Sequence, residues 1–362
     1  MKRARIDIIA GARPNFMKIA PIIRALAERG GRLGYRLVHT GQHYDSRMSG
    51  DFFEQLGIPA PDVNLEVGSG TQAEQTASIM TRYERLLLED PSNVCLVVGD
   101  VTSTMACAIA AQKLCVRVAH VEAGIRSGDW TMPEEINRMV TDSITNHFFT
   151  TSAVANENLR KSGVDEARIH FVGNTMIDTL LANLDRLREP SFWNSEQLRA
   201  GEYLVLTAHR PANVDSPERF LGLLAAVAAA ARGLKIVFPV HPRTAKTIRS
   251  LGALPPTLLL VEPQPYLEFN YLVRHAKAVL TDSGGVTEET TVLGVPCITM
   301  RDTTERPETV TVGTNELIGT DPSAIAPAME KLFAGRWKKG SIPELWDGRT
   351  SERIVDVLER VV

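Results

Sequence analysis

Charged side chains follow several apolar runs of this sequence, at the points where parallel strands would end. The first run is followed by Gly11-Ala-Arg13-Pro14-Asn-Phe-Met-Lys18. Gly11 permits a tight turn, Pro14 suits a first helical turn, and the N-terminus of a helix favours an anion. Arg13 and Lys18 could both reach a phosphate bound there. Because a full GxGxxG is lacking, this is no dinucleotide fingerprint, and a merely solvated helix start remains the alternative.

Two carboxylates stand at the ends of later strand-like runs. Asp100 comes at the end of Val94–Gly99, where it could be a general base or could cap the following helix. Glu122 comes after Val116–Val121, and a carboxylate there, flanked by glycine, is hard to explain as packing. His120 points along the same apolar run and is interpreted as a hydrogen-bonded core histidine. Asp100 and Glu122 are therefore candidates for proton transfer.

An acidic pair, Glu134 and Glu135, opens the next predicted helix. The helix dipole favours acids in a first turn, so the pair has a structural explanation as well as a chemical one. Both explanations stay open from the sequence.

Two predicted strands in the second half end in basic residues. One is followed by His209-Arg210 and the other by His241-Pro-Arg243. In one parallel sheet both ends lie at the same edge, which gathers imidazoles and guanidiniums there. That set suits diphosphate recognition and proton transfer better than metal binding, because no third histidine or carboxylate stands at ligand spacing.

The segment Asp282-Ser283-Gly284-Gly285 joins a predicted strand to a predicted helix. Its glycines expose backbone N–H groups to a phosphate at the positive end of the helix dipole. Glu289 lies one helical turn further in and could take ribose hydroxyls, as acidic residues do in nucleotide sites. A glycine-rich turn that binds nothing is the alternative.

A charged loop from Met300 to Glu308 contains Arg306. Such a loop can be simply solvated, but loops at this face of α/β sheets carry function. Both interpretations are kept.

These residues need a fold that brings strand ends together. The 362-residue chain is too long for one ordinary core, and short apolar runs alternate with segments of helical period. This pattern predicts an α/β protein with two Rossmann-like doubly wound domains facing a central cleft, where open sheets bind ligands. The predicted boundaries are 1–173 for the first domain, 174–202 for an interdomain helix and linker, 203–350 for the second domain, and 351–362 for a helix packing back on the first.

Composition and charge exclude several classes of function. The chain has 40 basic and 43 acidic residues, a formal net charge of −3, and 44% hydrophobic residues. We expect neither a nucleic-acid nor a membrane partner. With no signal-peptide pattern and no apolar stretch long enough to span a bilayer, the cytoplasm is expected. The cysteines form no CxxC pair and are predicted to be buried packing thiols: Cys95, Cys107, Cys115 and Cys297.

Taken together, these motifs resemble those of the non-hydrolysing UDP-N-acetylglucosamine 2-epimerases. The resemblance covers nearly the whole chain, through GARPNFMKIAPI, TGQHYD, GDVTST, HVEAGIRSGD, PEEINR, VGNTMIDT, AHR, HPR, DSGGVTEE, TTERPE and GTNELIG. It implies the glycosyltransferase-B-like fold of two Rossmann-like domains, and usually a homodimer.

The resemblance also implies roles for particular residues. It assigns acid–base chemistry to Asp100, Glu122, Glu134 and His209. The UDP-sugar is contacted by Arg13, Lys18, Arg210, His241, Ser283, Gly284, Gly285, Glu289 and Arg306. The implied reaction removes the C2 proton while UDP leaves C1, giving a 2-acetamidoglucal; C2 is then protonated from the opposite face and UDP returns. No metal, nicotinamide or flavin cofactor is required.

Three departures from the usual family pattern leave details open. The segment between Glu122 and Glu134 is shorter, an alanine precedes Asn213 where a glutamate is usual, and TGQHYD continues as Ser-Arg-Met-Ser. Allosteric activation by substrate and the exact sugar therefore stay open, since a UDP-2,3-diacetamido-2,3-dideoxyglucuronate 2-epimerase would share most motifs. The same fold also admits a glycosyltransferase, a hydrolysing epimerase and a non-catalytic UDP-sugar sensor.

Overall fold

The computed structural model describes residues 4–31, 33–41 and 53–362, apart from the side chains of residues 13, 242 and 243. The chain divides into two compact units. Met1–Ala182 with Glu344–Val362 form the first, and Asn183–Pro343 form the second. Each unit is built on its own parallel sheet.

The first unit alternates strands and helices along the chain. Its described strands are β1 (Ala4–Ala10), β2 (Leu33–His39), β3 (Val63–Asn64), β4 (Val94–Val98), β5 (Arg117–Val121), β6 (His147–Thr150) and β7 (Ile169–Phe171). They form a seven-stranded sheet in the order β3-β2-β1-β4-β5-β6-β7. Its helices include α1 (Arg13–Arg29), α2 (Gln72–Glu89), α3 (Thr102–Lys113), α4 (Pro133–Ile144), α5 (Ala153–Lys161) and α6 (Thr175–Ala182).

Central strands of this sheet form from largely apolar residues. All five residues of β4 are apolar and buried, and β1 is buried from Ile6 to Ala10, with Asp7 as its charged exception. A strand covered by helices on both faces has a continuous apolar run of this kind. Such runs, separated by segments of helical period, favour a parallel sheet with crossover helices.

The second unit repeats this alternation. Its strands are β8 (Tyr203–Thr207), β9 (Lys235–Pro239), β10 (Leu258–Val261), β11 (Ala278–Thr281), β12 (Cys297–Thr299) and β13 (Asn315–Leu317), which form a six-stranded sheet in the order β10-β9-β8-β11-β12-β13. Its helices include α7 (Pro211–Val214), α8 (Pro217–Ala230), α9 (Pro242–Ile248), α10 (Tyr266–His275), α11 (Gly284–Leu293), α12 (Pro307–Thr311) and α13 (Ile325–Phe333). The last helix, α14 (Thr350–Val361), belongs to the first unit. Among the helices described, none has the length and apolar composition needed to cross a bilayer.

Both sheets reverse their strand order at one place. In the first sheet the reversal lies between the neighbouring strands β1 and β4, and in the second it lies between β8 and β11. Loops leaving such a pair diverge and open a crevice at the carboxyl ends of the strands, where α/β sheets bind ligands. The prediction of two doubly wound, Rossmann-like domains is confirmed, and the residues after these four strands become the candidates for a site.

The first unit includes more of the chain than the predicted first domain. Residues 174–182 and 344–350 belong to it, rather than to a linker and to the second domain. The carboxylate of Asp178 on α6 accepts hydrogen bonds from the backbone N–H groups of Thr350 (3.0 Å) and Ser351 (2.7 Å). Asp178 therefore satisfies the first N–H groups of α14 and joins the two segments.

The predicted linker lies mostly within the second unit, which begins at Asn183. Trp193 explains this, because its ring packs edge-on against Tyr203 of β8 and Tyr271 of α10, with centroids 5.6 Å and 5.2 Å away. A tryptophan anchored by two aromatic rings holds the surrounding chain against the sheet.

One cysteine departs from the predicted burial. Cys95, Cys107 and Cys297 are buried, and burial raises the pKa of the Cys297 thiol to about 11. Cys115 is exposed, in a left-handed backbone conformation (φ 59°) between α3 and β5. The prediction of a buried thiol is therefore wrong at Cys115, because the chain turns there at the surface.

Two histidines stack at one side of the first sheet. The rings of His147 on β6 and His170 on β7 have centroids 5.9 Å apart. Burial lowers the pKa of His147, and the nearby His170, Arg117 and Arg168 lower it further. Burial and Arg360 lower the pKa of His170 in the same direction.

We expect these histidines to make the protein less stable as the pH falls below about 6.5, the ordinary pKa of histidine. Because their pKa values are lower in the folded state, the unfolded chain binds protons first, and stability is lost as the pH falls through that window. Urea unfolding midpoints measured from about pH 7.5 to 5.5 should fall less steeply in a His147→Gln, His170→Gln double variant. A residual slope should remain in the double variant, because burial also lowers the pKa of His39. Equal slopes in the two proteins would contradict the expectation.

Candidate active site

The start of α1 is tied to the end of β4. Asn15 Oδ1 accepts hydrogen bonds from the backbone N–H groups of Gly11 (3.0 Å) and Ala12 (3.1 Å). Asn15 Nδ2 donates to the Val98 carbonyl (3.0 Å). This side chain closes the turn after β1 and fixes the first turns of α1, which carry Lys18, beside the reversal of strand order.

A buried ion pair lies at this place. Lys18 Nζ is 2.6 Å from Glu122 Oε2, and the two side chains are 12% and 2% exposed. Glu122, directly after β5, has a left-handed backbone (φ 70°), which is strained for a residue with a side chain. Gly99 leaves room for the pair, since a Cβ there would lie 3.1 Å from Lys18 Nζ and 3.6 Å from Glu122 Oε2. A carboxylate so placed can take a proton from a bound substrate.

Asp100, after β4, is oriented by α4. Arg138 bonds to Asp100 Oδ2 and, through Nη1, to Glu135 Oε2 (2.7 Å). Asn137 Nδ2 donates to the Asp100 carbonyl (2.8 Å). The N-cap residue of α3 is Val101, with no side-chain capping bond, so Asp100 is not the cap of this helix. The Asp100 carboxylate is therefore held by an arginine, and its side chain stays 29% exposed at the edge of the sheet.

The two acids at the start of α4 have different surroundings. Glu135 is buried and accepts hydrogen bonds from the Ser127 N–H (2.9 Å) and hydroxyl (3.1 Å) and from the Gly128 N–H (3.0 Å). Although burial raises it, the pKa of Glu135 lies below its usual value because of these donors and Arg138. Glu134 is half-buried in the same helical turn. Glu135 therefore braces the loop before α4, which leaves Glu134 as the candidate for chemistry.

The prediction that His120 is a hydrogen-bonded core histidine is confirmed. Its fully buried ring has Nδ1 2.8 Å from Asp142 Oδ1 and Nε2 2.8 Å from the Gly99 carbonyl oxygen. Asp142 Oδ2 also accepts from the Gly124 N–H (3.0 Å) and from Arg126 Nη1 (2.6 Å). This network ties the turn after β4 to the turn after β5.

The second unit carries a histidine–carboxylate pair at its own reversal of strand order. His209 Nδ1 lies 2.8 Å from Asp282 Oδ1, with side chains 41% and 0% exposed. Asp282 Oδ2 also accepts hydrogen bonds from the backbone N–H groups of His209 (3.0 Å) and Arg210 (2.9 Å). A fully buried carboxylate therefore holds an exposed imidazole.

Arginines surround a carboxylate beside the first turn of α11. Glu305 Oε2 lies 2.6 Å from Arg301 Nη2, and Oε1 lies 3.4 Å from Arg210 Nη2. Although burial acts in the opposite direction, these arginines and Arg306 lower the pKa of Glu305 to about 2. A Cβ on Gly284 would lie 2.9 Å from Glu305 Oε1, so a side chain there would push this carboxylate aside. Clustered arginines beside a helix N-terminus suit a diphosphate.

Arg306 and Glu289, both predicted ligands, have buried protein partners. Arg306 Nε lies 2.5 Å from Glu288 Oε1. Glu289 Oε1 accepts a hydrogen bond from Asn270 Nδ2 (3.3 Å). Tyr266 is a second neighbour of Glu289. Burial and this carboxylate raise the pKa of Tyr266 well above its usual value. Both predicted ligands are therefore held in place by neighbouring side chains.

The other predicted ligands of the second unit lie at the same edge. Ser283 is the N-cap residue of α11, and Gly285 is in its first turn. The ring centroids of His241 and His209 lie 6.0 Å apart. The side chain of Arg13, in the first unit, lies outside the described residues, as do residues 42–45 of the TGQHYD segment.

The predicted site residues are divided between the two units. The first group is Lys18, Asp100, Glu122 and Glu134; the second is His209, Arg210, His241, Ser283, Gly284, Gly285, Glu289 and Arg306. Sequence reasoning did not assign Arg138, Asp282, Arg301 or Glu305, although all four stand within or beside the motifs. Arg301 and Glu305 are four residues apart in one loop. The contacts of Arg138 with Asp100, of Asp282 with His209 and of Glu305 with Arg210 join different elements, so spacing alone could not reveal them. Within the described residues, no three or more His, Cys, Asp or Glu side chains are grouped to hold a metal ion.

Comparison with known proteins identifies a family for this chain. A family model described as UDP-N-acetylglucosamine 2-epimerase matches residues 24–359. The UDP-N-acetylglucosamine 2-epimerase of Methanocaldococcus jannaschii is 40% identical, over 98% of this chain and 98% of its own. The UDP-2,3-diacetamido-2,3-dideoxy-D-glucuronate 2-epimerase of Pseudomonas aeruginosa is 38% identical, over 99% of this chain and 100% of its own.

A solved structure extends the likeness to three dimensions. The crystal structure of the M. jannaschii enzyme in complex with UDP-GlcNAc and UDP matches with a TM-score of 0.89 and 40% identity, covering 98% of this chain and 99% of that one. Motifs, fold and these likenesses agree, and the chain belongs to the UDP-N-acetylglucosamine 2-epimerase family.

Proposed function

We propose that this protein catalyses the reversible epimerisation of UDP-N-acetylglucosamine to UDP-N-acetylmannosamine at C2. The observation that carries the proposal is the buried pair at the end of β5, with Lys18 Nζ 2.6 Å from Glu122 Oε2. Inverting C2 requires removal of a proton that is not acidic in the ground state. A buried carboxylate at the ligand-binding edge of a sheet is a suitable base, and the ammonium beside it stabilises negative charge.

In the first step, a carboxylate of the first unit takes the C2 proton while the C1–O bond to UDP breaks. The electron pair of the C2–H bond becomes the C1=C2 double bond of a 2-acetamidoglucal, and UDP leaves with the C1–O electron pair. Glu122, Asp100 and Glu134 are the proposed acid–base carboxylates of this unit. The contact of Arg138 with Asp100 supports a fixed orientation of the Asp100 carboxylate for proton transfer.

Departure of UDP depends on the second unit. We assign the diphosphate to Arg210, Arg306 and the first turn of α11, where cations and backbone N–H groups stabilise the charge that develops as the bond breaks. Glu289 is assigned to the ribose hydroxyls. A diphosphate stabilised in this way is a better leaving group, which couples its departure to loss of the C2 proton.

The return step completes the inversion. C2 of the 2-acetamidoglucal takes a proton on its opposite face, and a diphosphate oxygen adds back to C1. His209, exposed at the end of β8, is the proposed acid–base group of the second unit.

A second candidate substrate is UDP-2,3-diacetamido-2,3-dideoxyglucuronate. The P. aeruginosa relative named for that sugar is 38% identical, against 40% for the M. jannaschii enzyme, so overall likeness does not separate the two. Elimination and return of UDP at C1 and C2 would proceed in the same way with either sugar.

Proton NMR of the purified protein with UDP-N-acetylglucosamine in heavy water tests the proposal. We expect UDP-N-acetylmannosamine with deuterium at C2 and no free sugar, because a base that takes the C2 proton returns one from solvent. Epimerisation of the diacetamido-uronate alone would transfer the proposal to that substrate. Free N-acetylmannosamine would indicate a hydrolysing enzyme, and turnover only with an added acceptor would indicate a glycosyltransferase.

We also propose that the protein works in the cytoplasm as a homodimer. Its free cysteines support a reducing compartment. The resemblance of its motifs to the epimerase family supports the dimer. Light scattering after size exclusion should give twice the 39.7 kDa mass of one chain, and a mass of one chain would refute the dimer.

A further inference from the structure

Asp282 and His209 are brought together by neighbouring strands. Asp282 follows β11 and His209 stands two residues after β8, and these strands pair in parallel. The Nδ1 atom of His209 lies 2.8 Å from Asp282 Oδ1. The contact therefore rests on the central strands of the sheet, which hold both residues rigidly.

The Asp282 carboxylate accepts hydrogen bonds from several donors. Besides the imidazole and the backbone N–H groups of His209 and Arg210, Asn213 Nδ2 donates to Oδ2 (3.0 Å). Although burial raises it, the pKa of Asp282 lies below its ordinary value because of His209, Arg210 and Asn213. An ionised carboxylate only accepts hydrogen bonds, so Nδ1 of His209 carries a proton in both charge states of the ring.

That arrangement leaves Nε2 as the atom of His209 that gains and loses a proton. The side chain is 41% exposed, so the ring is open to a ligand. Among the described side chains, the ring of His241 has its centroid 6.0 Å from that of His209, and the Arg210 guanidinium is turned to Glu305, at 3.4 Å. Neutral His209 therefore offers an Nε2 lone pair, and charged His209 offers an Nε2–H donor.

We propose that Asp282 is a positioning residue that fixes the tautomer and orientation of His209, so that Nε2 alone exchanges protons with the UDP-sugar. This inference rests on the proposed function. Asp282 acts through the imidazole and not on the substrate, in the way a buried carboxylate orients a catalytic histidine elsewhere. If Asp282 served only to tie β8 to β11, its loss would leave the tautomer of His209 unchanged.

The first test compares Asp282→Asn with the matched variant Asn213→Ala, which removes a different hydrogen bond of the same carboxylate. In Asp282→Asn we expect kcat to fall by roughly 10²–10⁴-fold, the contribution of a general acid or base. The dissociation constant of UDP should stay within about 3-fold of the wild-type value, because the change acts on proton transfer and not on the diphosphate contacts. Asn213→Ala should keep both kcat and the dissociation constant near the wild-type values. A kcat in Asp282→Asn as high as in Asn213→Ala would overturn the proposal.

The second test reads the tautomer directly by nitrogen-15 NMR of histidine-labelled protein. In the neutral ring, we expect wild-type His209 to carry its proton on Nδ1, and Asp282→Asn to shift it towards Nε2. A wild-type ring protonated on Nε2 alone would overturn the proposal, even if the variant failed to fold. Because this readout needs no turnover, a protein with the expected tautomer that epimerises no UDP-sugar would refute the proposed function, while Asp282 would still be the residue that fixes the tautomer of His209.

Discussion

Replacing Glu122 with glutamine is expected to lower kcat for epimerisation by roughly 10²–10⁴-fold, the range that a general base contributes. The amide fills the same space beside Lys18, whose Nζ lies 2.6 Å from Glu122 Oε2, but it cannot take up a proton. The dissociation constant of UDP should change by less than about 3-fold, because the proposed diphosphate contacts belong to the second unit. Turnover is followed by proton NMR in heavy water, and UDP binding by calorimetry.

Glu157→Gln is the matched control for this change. Glu157 lies on α5 in the same unit, and its half-exposed side chain is 3.6 Å from Lys161 Nζ. The same carboxylate-to-amide exchange at a solvated helix surface should leave turnover at the wild-type level. Near-normal turnover in Glu122→Gln would remove Glu122 from the acid–base residues and shift attention to Asp100 and Glu134.

Replacing Asp7 with alanine is expected to reduce the free energy of unfolding by about 3 kcal/mol, the lower end of the range for removing one partner of a buried pair. Arg36 makes two hydrogen bonds to Asp7, Nε to Oδ1 (2.9 Å) and Nη2 to Oδ2 (2.6 Å), and the side chains are 6% and 0% exposed. Tyr83 also donates to Asp7 Oδ2 (3.1 Å). Alanine leaves both donors without this acceptor, although Arg36 keeps its contact with Asp90 (2.9 Å).

Urea unfolding measures this loss, with Glu166→Gln as the control. The Glu166 carboxylate makes a similar two-bond contact with Arg160, at 2.6 Å and 2.7 Å, but on the surface. Exposed pairs contribute little, so the control should unfold with the wild type. Equal midpoints for Asp7→Ala and the wild type would show that the buried pair does not stabilise the fold.

Apolar runs place two central strands of the first sheet to within one residue at each end. The predicted runs Val94–Gly99 and Val116–Val121 contain β4 (Val94–Val98) and β5 (Arg117–Val121). The strands β3 and β13 have only two and three residues. Strands of that length show no alternation or apolar run, and only pairing with a neighbouring strand defines them.

The sequence by itself determined the family, the two doubly wound units and the residues after the strand ends, because apolar runs and glycine-rich turns are local signals. Only the tertiary structure decided which of those residues meet. Lys18 and Glu122 are 104 positions apart, and His209 and Asp282 are 73 apart. Each pair forms because the strand order places β4 between β1 and β5, and β11 beside β8. That order depends on the packing of the whole sheet, which no single motif encodes.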